Sequence, residues 1–319
     1  MRTLFFGTPA FAVPSLDALA DMTDVVGVVC QPDKPTGRGL VSASPPVKVR
    51  AIERGLTVVQ PTKLRTGEFA AWVRDRSADV AVVVAYGRIL PRDVLDATRL
   101  GFVNVHASLL PKYRGAAPIT WAVVNGEPET GVTLMLLDEG MDTGDMLDVA
   151  RVAIGRDETA GELSERLSTL GAELVRTRLA AFANGELPRV PQDHAGATVA
   201  RLLEKTDGRL DWTAPARSIH DRVRGMSPWP GAFTRLRDRT LKVHATACDG
   251  LTRLEGATAS RAGTVVVADK SRVLVACGPD GRETLEILRV QLEGKKPVSA
   301  GEWVSGRGVR EHDILGEPV

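Results

Sequence analysis

Residues 80–111 read VAVVVAYGRILPRDVLDATRLGFVNVHASLLP. Two short apolar runs, Val80 to Ala85 and Phe102 to Val105, flank a stretch punctuated by Gly and Pro. Runs of this length, rich in β-branched and aromatic residues and ended by turn formers, read as buried strands. Four others of the same kind lie at Thr3 to Phe6, Val25 to Cys30, Thr57 to Val59 and Val132 to Leu137. Between them, segments such as Phe69 to Arg76 and Ile119 to Asn125 carry apolar residues at the 3.6-residue spacing of helices packed on a sheet. Alternating strand and helix predicts an α/β fold, a doubly wound, mostly parallel, Rossmann-like sheet with both faces covered.

Outward from this block, Ala160 to Ala183 reads as one long amphipathic helix that stops at Asn184-Gly185. The text then turns to LPRVPQDHAGATVARLLEK, rich in Pro, Gly and polar residues without a sustained period, which reads as a linker. After a helical piece at Ala214 to Arg224, short runs recur: Ala232 to Leu236, Leu241 to Ala245, Thr264 to Val267, Val273 to Ala276 and Leu285 to Val290. Short strands at this spacing predict a small, OB-like β-barrel. The expected division is a domain at 1–188, a linker at 189–206 and a barrel domain at 207–319.

The chain has 319 residues, 41 basic against 40 acidic side chains, 43% hydrophobic residues and 3 Cys, which excludes a disulfide scaffold, a collagen-like repeat and a highly charged nucleic-acid sleeve. The near-neutral total hides an asymmetry. Residues 1–188 hold 20 basic and 23 acidic side chains, a net of −3, whereas 207–319 hold 18 and 15, a net of +3. The basic surplus of the second half is weak support for a phosphate-rich partner. Cys30, Cys248 and Cys277 are far apart and without CxxC spacing, so neither a disulfide framework nor a metal site is expected, and a reducing cytoplasm fits. Gly7, Pro9 and Pro14 interrupt the apolar start and read against a signal peptide. No apolar stretch has the length of a membrane span, so no membrane partner is expected.

Chemistry concentrates at two places. In Phe102-Val103-Asn104-Val105-His106, an extended backbone puts Asn104 and His106 on one face and Val103 and Val105 on the other. Polar side chains at the carboxyl end of a strand in an open α/β sheet sit where ligands bind. The second place is the acidic, glycine-flanked loop Leu137 to Asp145, which follows another strand of the same sheet and can bring Asp142 to the histidine. Asn104, His106 and Asp142 together suit acyl transfer without an enzyme nucleophile: an amide and an imidazole for an oxyanion, and a carboxylate to tune the imidazole. The competing arrangement, a Ser108-His106-Asp142 hydrolase triad, lacks a GxSxG elbow. Gly7-Thr8-Pro9-Ala10-Phe11 lacks the second and third glycines of a dinucleotide fingerprint, which disfavours a nicotinamide dehydrogenase and leaves Gly7 as a strand-to-helix turn.

These residues carry a resemblance. NVHASLLPKYRGAAPI (104–119), LDEGMDTGDML (137–147), FFGTPAFA (5–12), QPDKPTGRG (31–39) and VVVAYGRILP (82–91) are similar to the methionyl-tRNA formyltransferases, within the folate-dependent formyltransferase family. LDW (210–212), SPWPGAF (227–233) and GKKPVSA (294–300) extend the similarity over nearly the whole chain. The resemblance implies transfer of a formyl group from 10-formyltetrahydrofolate, leaving tetrahydrofolate, to the α-amine of methionine on initiator tRNA. It implies Asn104, His106 and Asp142 as the catalytic trio and no metal. It also implies folate contacts from Ser108, Leu109, Leu110 and Pro111, and from the loop of Ala85, Tyr86, Gly87, Arg88, Ile89 and Leu90.

The loop from Gln31 to Pro46 is basic and rich in Gly and Pro, and the resemblance makes it a wedge against the tRNA acceptor end, with Lys34 and Arg38 as contacts. Against the family it resembles, the sequence departs here: RGLVSASPP replaces the lysine-rich continuation that the resemblance implies after Arg38. Lys205, Lys295 and Lys296 are further expected tRNA contacts, and the working unit is expected to be a monomer. The alternative is a folate-dependent formyltransferase acting on a small amine such as an amino sugar nucleotide, which would have no use for a tRNA-binding second domain.

Overall fold

The computed structural model describes residues 1–36, 41–248 and 259–316. It contains two compact units: Met1–Pro118, Glu129–Ala153 and Ser164–Arg201 form the first; Ile119–Pro128, Ile154–Leu163 and Leu202–Val319 form the second. Of the stretch 189–206, residues up to Arg201 thus belong to the first unit, where Val199–Ala200 pairs with Arg114–Gly115.

The first unit is built on a seven-stranded sheet: β1 Arg2–Gly7, β2 Asp24–Val29, β3 Val58–Val59, β4 Val80–Val84, β5 Phe102–His106, β6 Glu129–Leu136 and β7 Met146–Ala153. Its order is β7-β6-β5-β4-β1-β2-β3. The pairings from β3 through β5 are parallel, and β6 and β7 are added antiparallel. The expected strands all form, within a residue or so at most ends. β7 is not announced by the sequence pattern: it is a half-exposed edge carrying Asp148 and Arg151, so its apolar signal is diluted.

Both faces of the central strands are covered, which is why every residue of β4 is buried. On one face Phe6 lies 5.2 Å from the Phe102 ring, 5.5 Å from Tyr86 and 6.2 Å from Phe69 of the helix Glu68–Asp75, all edge-on. On the other lies the helix Ala160–Ala183, whose buried Leu167, Val175 and Leu179 follow helical spacing. Gly171 of this helix meets the back of β5: a Cβ there would stand 2.8 Å from Val105 Cγ1. Gly7 ends β1 in an equally tight place, where a Cβ would lie 2.7 Å from Phe5 Cε1, in the turn that leads to the helix Val13–Met22.

The second unit holds β8 Ala232–Leu236, β9 Arg239–Ala247, β10 Val265–Ala268, β11 Val273–Cys277 and β12 Glu283–Leu292 in the antiparallel order β8-β9-β12-β11-β10. Residues 314–315 bridge both edges, Leu315 to Leu236 and Ile314 to Thr264, which closes the sheet into a small barrel. Its core includes Leu241, Val243, Val275, Leu285 and Ile287 from the strands, with Ile219 and Val223 of the helix Ala216–Gly225 and Trp303. Among the described residues no helix is long and apolar enough to cross a membrane.

Candidate active site

Asn104 and His106 project from the same face of β5 at its carboxyl end, as the period-2 reading requires, and both are less than one-tenth exposed. Opposite them in register stand Met135 and Thr133 of β6. The loop after β6 returns Asp142 to this pair. Asn104 Nδ2 donates to Asp142 Oδ1 at 3.4 Å, and Asp142 Oδ2 lies 3.6 Å from His106 Nδ1. The same Oδ2 accepts the backbone N–H of Gly115 at 2.8 Å. Asp142 holds φ of +54°, a left-handed conformation that Asp tolerates better than most residues.

The other imidazole nitrogen is committed. His106 Nε2 lies 2.9 Å from the Tyr113 carbonyl oxygen, and a carbonyl only accepts, so Nε2 carries a proton in every charge state. Nδ1 is therefore the nitrogen turned to Asp142 and left for chemistry. Ser108 is fully buried, with its hydroxyl donating to the Lys112 carbonyl at 2.7 Å. It is not a nucleophile presented to the histidine, and the triad alternative does not form.

The 108–111 loop is braced by a residue the sequence did not advertise. Thr133, wholly buried, donates from Oγ1 to the Ser108 carbonyl at 2.7 Å and accepts the Leu110 N–H at 3.2 Å. Leu110 is buried, while Leu109 and Pro111 are half-buried. Across the sheet, the loop 85–90 turns on two left-handed residues, Ala85 and Gly87. Gln31 Nε2 donates to the Tyr86 carbonyl at 2.8 Å, and Arg88 donates to the Pro61 and Thr62 carbonyls, each at 2.8 Å. Tyr86 and Leu90 are buried beneath it; Ala85, Gly87, Arg88 and Ile89 are exposed. A cleft of about 430 Å³ lies against Arg88 and Ile89, walled also by Lys63, Leu64, Arg65 and Thr66. Lys63, Arg65 and Arg88 give this open cleft cationic walls.

Lys34, Lys205, Lys295 and Lys296 are exposed, the first in the first unit and the others in the second. Arg38 lies outside the described residues. At the root of its loop, Asp33 accepts Lys48 Nζ at 2.7 Å and Gln60 Nε2 at 2.7 Å, and the lysine, then the glutamine, hold its carboxyl below the usual range. Among the described residues no cluster of His, Cys, Asp and Glu suited to a metal is present.

The family described as formyl transferase matches residues 1–179, and its C-terminal domain matches residues 202–308. A methionyl-tRNA formyltransferase of Sorangium cellulosum (strain So ce56) is 56% identical over 316 residues, covering 99% of this chain and 100% of the relative. The chain belongs to the methionyl-tRNA formyltransferase family. A second member, from Myxococcus xanthus (strain DK1622), is 49% identical over 96% of this chain and 95% of its own. Among solved structures, the N-formyltransferase of Helicobacter canadensis, in complex with folinic acid and dTDP-3-aminofucose, superposes with a TM-score of 0.64 at 17% identity, over 90% of this chain and 99% of that one. That likeness is one of fold, and the sequence identity places the chain with the methionyl-tRNA formyltransferases.

Proposed function

We propose that this chain transfers the formyl group of 10-formyltetrahydrofolate to the free amine of methionine on initiator tRNA, and that Asn104, His106 and Asp142 are its catalytic residues. The observation that carries the assignment is the meeting of these three side chains at one strand end, with only Nδ1 of the imidazole left open. Family membership supplies the activity.

The chain's own groups have distinct tasks. Negative charge grows on the formyl oxygen as the amine attacks, and Asn104 Nδ2 is a ready donor for it, a contribution of roughly 3 to 4 kcal/mol when such a donor is well placed. His106 turns Nδ1 toward the same space, with its orientation set by the Tyr113 carbonyl. Asp142 faces both, and as a carboxylate it takes or relays the proton released by the attacking amine and balances positive charge on the imidazole. The folate cosubstrate supplies the formyl group when bound. Ser108 to Pro111 and the turn 85–90 are read as its contacts, the latter because its exposed backbone presents both donors and acceptors.

For the tRNA, Lys34 and Arg38 of the first unit and Lys205, Lys295 and Lys296 of the second are read as phosphate contacts, acting from the cytoplasm where translation supplies the charged tRNA. We read the active species as a monomer. The test is a steady-state formylation assay on Asn104→Ala, His106→Ala and Asp142→Ala. Each is expected to fold and to lose about two to three orders of magnitude in turnover. Wild-type turnover by two of them would overturn the catalytic assignment.

A further inference from the structure

Behind the catalytic loop lies a buried side-chain amide in the stretch that reads, from sequence, as a linker. Gln192 is 5% exposed. Its Nε2 donates to the backbone carbonyls of Asp142 at 2.9 Å and Gly144 at 2.8 Å. Its Oε1 accepts Arg114 Nε at 3.1 Å and Nη2 at 2.7 Å. Every hydrogen-bonding position of the amide is filled. The orientation of the amide is forced, because a guanidinium only donates and a carbonyl only accepts.

Arg114 is itself buried and occupies a telling place in the chain. The preceding residue, Tyr113, offers the carbonyl that holds His106 Nε2, and the following residue, Gly115, offers the N–H that holds the Asp142 carboxylate. The segment around Gln192 is stitched to both loops: Val190 exchanges backbone hydrogen bonds with Met146, Tyr113 N donates to Thr198 Oγ1, and Arg114 N donates to the Thr198 carbonyl. One side chain thus ties the backbone of the Asp142 loop to the backbone that orients both His106 and Asp142. The Asp142 backbone is also where a hold helps, since its left-handed conformation, although Asp tolerates it, is less favourable than the ordinary helical and extended ones.

We infer that Gln192 is a positioning residue for the reaction: through its amide it fixes Asp142 against Asn104 and His106. The inference rests on the catalytic reading of Asp142 given above. Only a side-chain amide meets the requirement, as it presents donors to two carbonyls at one end and an acceptor to a cation at the other. Glutamate would satisfy Arg114 and repel the carbonyls of Asp142 and Gly144, so Gln192→Glu separates the two functions.

The experiment compares wild type, Gln192→Glu, Asp142→Ala and the double variant by kcat, by KM for both substrates and by thermal unfolding. Gln192→Glu is expected to fold with a lowered melting temperature, to keep both KM values within about threefold, and to lose about 10- to 100-fold in kcat, the scale of a displaced catalytic group. In the Asp142→Ala background it is expected to cause no further loss in kcat. A kcat of Gln192→Glu within about twofold of wild type, with Asp142→Ala strongly impaired, would overturn the inference alone. An equal loss in both backgrounds would overturn it as well, because Gln192 would then act independently of Asp142. Full turnover by Asp142→Ala would overturn the catalytic reading beneath it. Should Gln192→Glu fail to fold, Gln192→Met carries the same comparison under the same criteria.

Discussion

Thr133 and Ser108, 25 residues apart in the chain, are joined by a fully buried hydrogen bond from Thr133 Oγ1 to the Ser108 carbonyl at 2.7 Å. The same hydroxyl oxygen accepts the N–H of Leu110, so one β6 side chain sets the path of the 108–111 loop. Thr133→Val keeps the shape and strands a buried carbonyl and a buried N–H. The expected cost is about 1 to 3 kcal/mol of stability, with a raised KM for the folate and a smaller change in kcat. Denaturant unfolding and steady-state kinetics measure both; unchanged stability would show that the loop is held by other contacts.

The Tyr113 carbonyl assigns the proton on Nε2 of His106 and leaves Nδ1 for chemistry. His106→Gln offers an amide N–H to that carbonyl but no titrating nitrogen. It is expected to retain most of the wild-type melting temperature and to lose turnover by about two orders of magnitude or more. Turnover within about threefold of wild type would reduce the imidazole to a structural hydrogen-bonding group.

Gly171 sets how closely the helix Ala160–Ala183 approaches the back of the strand bearing Asn104 and His106. Two effects oppose each other in Gly171→Ala. Helix propensity favours alanine by about 1 kcal/mol, whereas overpacking against Val105, with a Cβ 2.8 Å from its Cγ1, costs about 1 to 3 kcal/mol. The net expectation is a loss of stability, accompanied by reduced turnover as β5 shifts. A stabilised, fully active variant would show that the helix withdraws at no cost.

His220, 2% exposed in the second unit, bonds Thr246 Oγ1 through Nδ1 at 2.9 Å and faces Asp157 at 3.1 Å from Nε2. Burial, then the charge of Arg217, depresses its pKa below the ordinary value of 6.5. As pH falls below about 6.5, the unfolded chain takes up a proton that the folded histidine resists, so stability drops from there down through the lowered folded pKa. The slope is at most about 1.4 kcal/mol per pH unit from this one group. His220→Gln is expected to flatten unfolding free energy between pH 7.5 and 5.5; an unchanged slope would assign the acid sensitivity elsewhere.

The site was legible in sequence where its chemistry coincides with a local period. Asn104 and His106 are two apart on a strand, and Asp142 sits in a Gly-flanked acidic loop after the neighbouring strand, so residue type and spacing together expose them. Thr133 and Gln192 were not legible. Both act on backbone carbonyls, which any residue provides, and Gln192 lies 50 residues from Asp142 in a Pro- and Gly-containing stretch with no period. The parallel core strands were plain because both faces are buried and the apolar runs are continuous. β7 was hidden by its exposed edge, and the pieces 119–128 and 154–163 that cluster with the second unit carry no mark of it in composition.

Formyl transfer is expected to go to methionine carried on initiator tRNA. The most direct measurement gives the purified chain 10-formyltetrahydrofolate and offers, separately, methionyl initiator tRNA, free methionine and an amino sugar nucleotide, then quantifies the formylated product and the tetrahydrofolate released. Rapid formylation of the charged tRNA, stoichiometric release of tetrahydrofolate, and little or no transfer to the two small amines are expected. Efficient transfer to the amino sugar nucleotide with none to the tRNA would overturn the proposed function.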